Sequence, residues 1–183
     1  MSDTQQPSVD LFSKKDGSLR NFLKDRAWLF TLTPLIILID QTSKWLVRTN
    51  LVFGEVWSPW VWLTPFARIV HWYNTGVAFG FFQNQNLIFS ILSASIAVGI
   101  IWLYPRVVSQ EPVLRLALAL QLGGAIGNLI DRITLGHVTD FISVGDFAVF
   151  NVADSAISVG VVIMLISILV QDIRERKKET ESK

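Results

Sequence analysis

Leu116-Ala117-Leu118-Ala119-Leu120-Gln121-Leu122-Gly123-Gly124-Ala125-Ile126-Gly127-Asn128-Leu129-Ile130-Asp131-Arg132 carries no charge until its last two residues. With its flank, about 113–131, this run approaches the ~20 helical residues that cross a hydrocarbon core of ~30 Å. Three further runs match it. Residues 27–47 are uncharged from Ala27 to Ile39. Residues 85–104 lie in a stretch, Ile69 to Pro105, without Lys, Arg, Asp or Glu. Residues 154–171 are uncharged after Asp154. The expected fold is an all-α polytopic membrane protein with four transmembrane helices.

Composition agrees. Of 183 residues 51% are hydrophobic, 17% are charged and 7 are Trp, which excludes a disordered chain and disfavours a water-soluble globule. The absence of Cys excludes disulfides, thiolate metal sites and cysteine nucleophiles. A net charge of +1 offers no field to nucleic acid, so no nucleic-acid partner is expected.

Basic residues orient the spans. Lys14, Lys15, Arg20, Lys24 and Arg26 precede the first; Arg106 and Arg115 sit in the second connection; Arg174, Arg176, Lys177, Lys178 and Lys183 follow the last. The positive-inside rule places that side, and both termini, in the cytoplasm. Residues 48–84 and 132–153 become external loops, and the polar tails 1–26 and 172–183 are expected to be mobile. No repeat or linker divides the chain, so 1–183 reads as one domain. The first span lacks the cleavage site of a secretory signal. Trp28 and Trp45 flank it, and Trp102 and Tyr104 end the second, as an interfacial belt would.

Ionisable groups at membrane depth are costly, so each is a candidate. Asp40 and Lys44 share a helix face at i, i+4 with Gln41 beside them, and read as an internal ion pair rather than a catalytic lysine. Gly123 and Gly127 form a small-xxx-small pair, matched by Ala156 and Gly160, that brings spans three and four together. Asn128, Asp131 and Arg132 then sit at the external mouth. Asp140, between Val138 and Phe141, and Asp154, opening an apolar helix, are expected to be partly desolvated, so that one of two nearby carboxyls keeps a proton near neutral pH. The ionised member can then take a proton from water while the neutral one polarises a carbonyl. Asp154 alone reads equally well as a helix N-cap. Asp131, beside Arg132, reads as a positioning carboxylate, and Asp146 after Gly145 as a turn residue. On these grounds 140/154 ranks only narrowly above 131/154. His137 with scattered Asp is weak evidence for a metal site. The aromatic loop 48–84, with Trp57, Trp60, Trp62 and Trp72, suggests a small sheet at the membrane surface that suits an amphiphilic ligand, or a purely structural loop.

Five motifs occur in order: Asp40-Gln41-x-x-Lys44, Asn74-Thr75-Gly76-x-Ala78-Phe79, Gly123-Gly124-Ala125-x-Gly127-Asn128-x-x-Asp131-Arg132, Val138-x-Asp140-Phe141 and Phe150-Asn151-x-Ala153-Asp154. Together, over about 27–171, the chain resembles the lipoprotein signal peptidases (signal peptidase II) of bacteria. The resemblance implies an aspartyl endopeptidase of the cytoplasmic membrane, without cofactor or metal. It would cut diacylglyceryl-modified prolipoprotein just before the lipidated cysteine. It implies Asp140 and Asp154 as the catalytic dyad near the extracytoplasmic face. Asn74, Gly124, Asn128, Arg132 and Asn151 would line the substrate site, and Asp40, Gln41, Lys44 and Asp131 would support it. It also implies a small extracytoplasmic β cradle in 48–84, a mobile helix at about 141–150, contact with membrane lipids, and inhibition by globomycin-type cyclic peptides. A proton-coupled transporter would also need intramembrane carboxylates, but near the midplane rather than clustered at one face. A scaffold subunit has no use for them.

Overall fold

The computed structural model describes residues 10–75, 86–107 and 112–181, with side chains from residue 26 onward. Among these, the helices are α1 (Asp10–Asn50), α2 (Asn86–Val107), α3 (Pro112–Leu135) and α4 (Val152–Glu181). α2, α3 and α4 are long and apolar enough to cross a membrane. Their outward faces agree: Leu87, Ile91 and Val98 on α2 and Val162, Leu165 and Leu169 on α4 are more than half exposed. In water that would be a large unmatched apolar surface; in lipid it is the ordinary exterior.

α3 is the central helix, packed against α1, α2 and α4. Its glycines allow this. A Cβ on Gly123 would lie 2.8 Å from Ile36 Cβ, and one on Gly127 2.7 Å from Asp40 Oδ2, so the small-xxx-small pair faces α1. The expected match with Ala156 and Gly160 on α4 is not formed. A spacing of four keeps Gly123 and Gly127 on one face, while Gly124, one residue on, turns toward α4. A Cβ on Gly124 would run into the carbonyl oxygen of Ala153. Between α2 and α3 the core holds Ala97, Ile100, Tyr104, Leu118 and Leu122. Tyr104, expected in an interfacial belt, is fully buried there, whereas Trp28, Trp45 and Trp102 are exposed.

Three antiparallel strands, β1 (Val56–Trp57), β2 (Ala67–Asn74) and β3 (Val138–Val144), lie in that order in one sheet. The sheet expected within 48–84 therefore borrows its third strand from the last loop. The helix expected at about 141–150 is absent: Phe141–Val144 pair with β2, Gly145 turns at φ +52°, and Phe150 bridges back to Ile142. Val138, Phe141, Ile142 and Val144 suit a half-buried strand better than a helix. Gly136, at φ +79°, ends α3 and turns the chain into β3.

Helix extends into both polar tails: α1 begins at Asp10 and α4 continues to Glu181. Asp172–Arg176 (2.9 Å) and Lys177–Glu181 (3.8 Å) pair at i, i+4 along the exposed end of α4. Gly76, Ala78 and Phe79 lie outside the described residues.

Candidate active site

The start of α4 is built by two side chains from opposite directions. Asn151 caps it: its Oδ1 accepts the Asp154 N–H (2.9 Å), and Asp154 Oδ2 accepts the Asn151 N–H (3.2 Å), a reciprocal capping box. Asp154 is thus the third residue of the helix, not its N-cap. From α1, Asp40 Oδ1 accepts the Ala153 N–H (2.9 Å) and satisfies another of the free donors at the helix start. These bonds fix the point from which Asp154 projects.

Asp140 arrives on β3. Trp72 pairs with Asp140 and Asn74 with Val138, so Asn74 is a diagonal neighbour of Asp140 on the same sheet face. Asn74 Nδ2 donates to Asp140 Oδ2 (2.8 Å), and Asn151 Nδ2 donates to Asp140 Oδ1 (2.7 Å). Asn151 therefore ties both carboxyls together. Burial, followed by the nearby Asp154 charge, pushes the Asp140 carboxyl up to about 7, a shift opposed by the two asparagine amides.

The support cluster sits directly behind. Lys44 is fully buried and its ammonium meets Asp40 Oδ2 (2.8 Å), Asp131 Oδ2 (3.4 Å) and Asn128 Oδ1 (2.8 Å). Because Lys44 can only donate, it fixes which way the Asn128 amide points. Asn128 Nδ2 is left to face Asp154 Oδ1, at 2.8 Å. Gln41 Nε2 reaches Asp40 Oδ2, Gly127 O and Asp131 Oδ1 at 3.0–3.1 Å. Asp131 also accepts the Thr139 N–H (2.9 Å) and lies 3.7 Å from Arg48.

The sequence candidates thus separate into two groups. Asp140, Asp154, Asn74, Asn128 and Asn151 converge, while Asp40, Gln41, Lys44 and Asp131 form the cluster beneath them. The charge partners of Asp131 are Lys44 and Arg48; its chain neighbour Arg132 points elsewhere, its Nη1 donating to Ser93 Oγ (3.2 Å) with its guanidinium 5.8 Å from the Phe89 ring centre. Adjacent helix residues point about 100° apart, which sequence adjacency conceals. Gly124 stands apart: it is buried against α4 and lets the two helices close, rather than facing a ligand. Arg48 also belongs to the supporting cluster, although no sequence motif includes it. Its signal was available, one turn beyond Lys44 on the face of Asp40, and its Nη1 donates to Thr139 Oγ1 (3.0 Å) beside Asp140.

A groove of about 850 Å³ opens in front of Asp154 and Asn74, with Asp140 buried behind Asn74. Gln121, Ala125, Asn128 and Arg132 form its floor along one face of α3, with Leu92 and Ile96 of α2 on one wall and Asp154 and Ile157 of α4 on the other. Two coupled carboxyls, held by amide donors at the polar end of an apolar groove, can share one proton and activate water beside an amide.

Residues 32–170 match the family model described as signal peptidase (SPase) II. A protein of Shouchella clausii named lipoprotein signal peptidase is 40% identical over 152 residues, covering 81% of this chain and 97% of its own. One of the same name from Moorella thermoacetica is 40% identical over 133 residues, covering 73% and 87%. Another, from Acinetobacter baumannii, is 35% identical over 176 residues, covering 92% and 97%. A solved bacterial membrane enzyme superposes with a TM-score of 0.71 at 26% identity, covering 78% of this chain and 88% of that one.

Proposed function

The chain belongs to the signal peptidase II family, peptidases that process prolipoproteins, and from that premise we propose that Asp140 and Asp154 are its catalytic dyad. The substrate class is prolipoprotein. The finer reading is a diacylglyceryl-modified prolipoprotein cut just before its lipidated cysteine, in the bacterial cytoplasmic membrane. The observation that carries it is the linkage of both carboxyls through Asn151 at the mouth of the groove.

In the reaction the ionised carboxylate takes a proton from water as the water oxygen adds to the scissile carbonyl carbon. The neutral carboxyl gives its proton to the carbonyl oxygen. Collapse of the tetrahedral gem-diol breaks the C–N bond, and the nitrogen of the lipidated cysteine leaves with a proton. Asn128, Asn151 and Asn74 hold the carboxyl oxygens, while Arg132 lines the groove as a contact for the substrate backbone. The substrate's own signal helix lies in the groove with its acyl chains in lipid, which sets depth and register. Globomycin-type cyclic peptides would occupy the same groove.

For the topology, α1 serves as the fourth span through 27–47. Its exposed Phe30, Leu35, Leu38 and Ile39, with exposed Trp28 and Trp45 toward the two ends, support that reading. Both termini are then cytoplasmic and the sheet extracytoplasmic. The test is a gel-shift cleavage assay in detergent with lipidated and unlipidated prolipoprotein and EDTA present. Cleavage of the lipidated form alone, untouched by chelation, supports the reading; no cleavage by folded enzyme in added lipid rejects it.

A further inference from the structure

Away from the dyad the groove is not uniformly apolar. Gln121 on α3 lies two turns from Asn128, and Ser158 on α4 lies one turn from Asp154; both line it. Ser155 returns its hydroxyl to the Asn151 carbonyl (3.0 Å), the usual way a membrane-helix serine is satisfied. Ser158 does not: among the described residues its hydroxyl has no partner, and it is exposed to the groove. Gln121 Nε2 has only the thioether of Met164, at 3.9 Å, a weak acceptor. Its stem is held against α4 at Gly160, where a Cβ would come within 2.8 Å of Gln121 Cγ. These are positioned donors with unspent hydrogen-bonding capacity, at a depth where polar groups are costly unless they bind something.

A signal helix entering this groove has a matching need. The last four carbonyls of a helix have no intrahelical partner, and each left bare in hydrocarbon costs several kcal/mol. The scissile bond must be extended to meet the dyad, so the helix must end before it. Along the helices Ser158 is about 6 Å from Asp154 and Gln121 about 10 Å from Asn128 at ~1.5 Å per residue. Two or three extended residues at ~3.3 Å each span that distance. Resting on the dyad reading, we propose that Gln121 and Ser158 form a helix-end subsite. It accepts the terminal carbonyls of the signal helix and fixes its break two or three residues before the cleaved bond.

The experiment is steady-state cleavage of diacylglyceryl prolipoprotein in mixed micelles by wild type, Gln121→Leu, Ser158→Ala, the double variant and Ser158→Thr, with thermal unfolding measured alongside. The double variant is expected to raise KM about tenfold at near-wild-type kcat and Tm, while Ser158→Thr, which keeps the hydroxyl that Ser158→Ala removes, holds the wild-type KM. A double-variant KM within about twofold of wild type overturns the subsite. So does a KM rise that Ser158→Thr shares and that tracks a loss of Tm, because both side chains would then be packing groups. Wild-type enzyme that fails to cleave the lipidated substrate overturns the proposed function on which the subsite rests, and substantial turnover by Asp140→Asn or Asp154→Asn overturns the dyad, each a separate result.

Discussion

The Asp40–Lys44–Asp131 cluster and the Asp140–Asp154 pair hold two carboxyls each and meet at Asn128, but only the first contains a cation. Lys44 directs its ammonium at Asp40, Asp131 and Asn128, and no part of it is exposed. The second pair is held by amides alone: Asn74, Asn151 and Asn128 side chains and one backbone N–H. A buried charge that is paired and fully hydrogen-bonded is chemically quiet. Two buried carboxyls that receive only neutral donors can share a proton between them. On the proposed function, the cation belongs to the supporting cluster and is kept out of the reacting pair.

The sharpest way to break the comparison is to neutralise the pair. Asp140→Asn or Asp154→Asn is expected to lower cleavage of lipidated prolipoprotein by about 10³-fold or more, with the protein still folded and inserted. Substantial turnover by either purified variant removes the assignment. Lys44→Met tests the other side. It leaves Asp40 and Asp131 buried without their cation and should cost about 3–5 kcal/mol in thermal or denaturant unfolding. Adding Asp40→Asn should recover part of that loss, since one of the stranded charges goes with it. Asp131→Asn is milder, about 1–3 kcal/mol, because Lys44 keeps Asp40. It should lower yield or activity without moving the pH profile of cleavage. A shifted acid limb would place Asp131 in the reaction.

Much of this arrangement was legible in the chain. Four apolar runs place the helices, and the i, i+4 spacing of Asp40 and Lys44 is an ion pair that the structure forms at 2.8 Å. What stayed hidden depends on contacts between distant segments. The partner of Asp131 could not be read because Lys44 and Arg48 come from another helix, while adjacency pointed to Arg132. Gly124 sits in a motif that reads as a site, but its role is to admit the Ala153 carbonyl. β3 reads as loop in the sequence because its seven residues closely follow a helix and find their sheet in residues 67–74. Asp154 as a plain N-cap failed for a local reason: Asn151, three residues earlier, takes that position and makes Asp154 its reciprocal partner.

The last test reads the amide-held pair directly. The Asp140 carboxyl stands at about 7 against an ordinary 3.8, so between those values the folded chain holds a proton that the unfolded chain has released. Protons then favour folding, and the stability contributed by Asp140 declines as pH rises from about 4 to about 7 and levels off above. Asp140→Asn has nothing to titrate and should lose that slope in thermal unfolding measured across the window; parallel slopes would contradict it. Asp154→Asn divides the cause. It removes the neighbouring charge but leaves the burial, so the window should narrow from its upper end and still remain open. If it closes completely, repulsion between the two carboxyls outweighs burial, and Asp140 would be a typical carboxylate in any protein that lacked its partner.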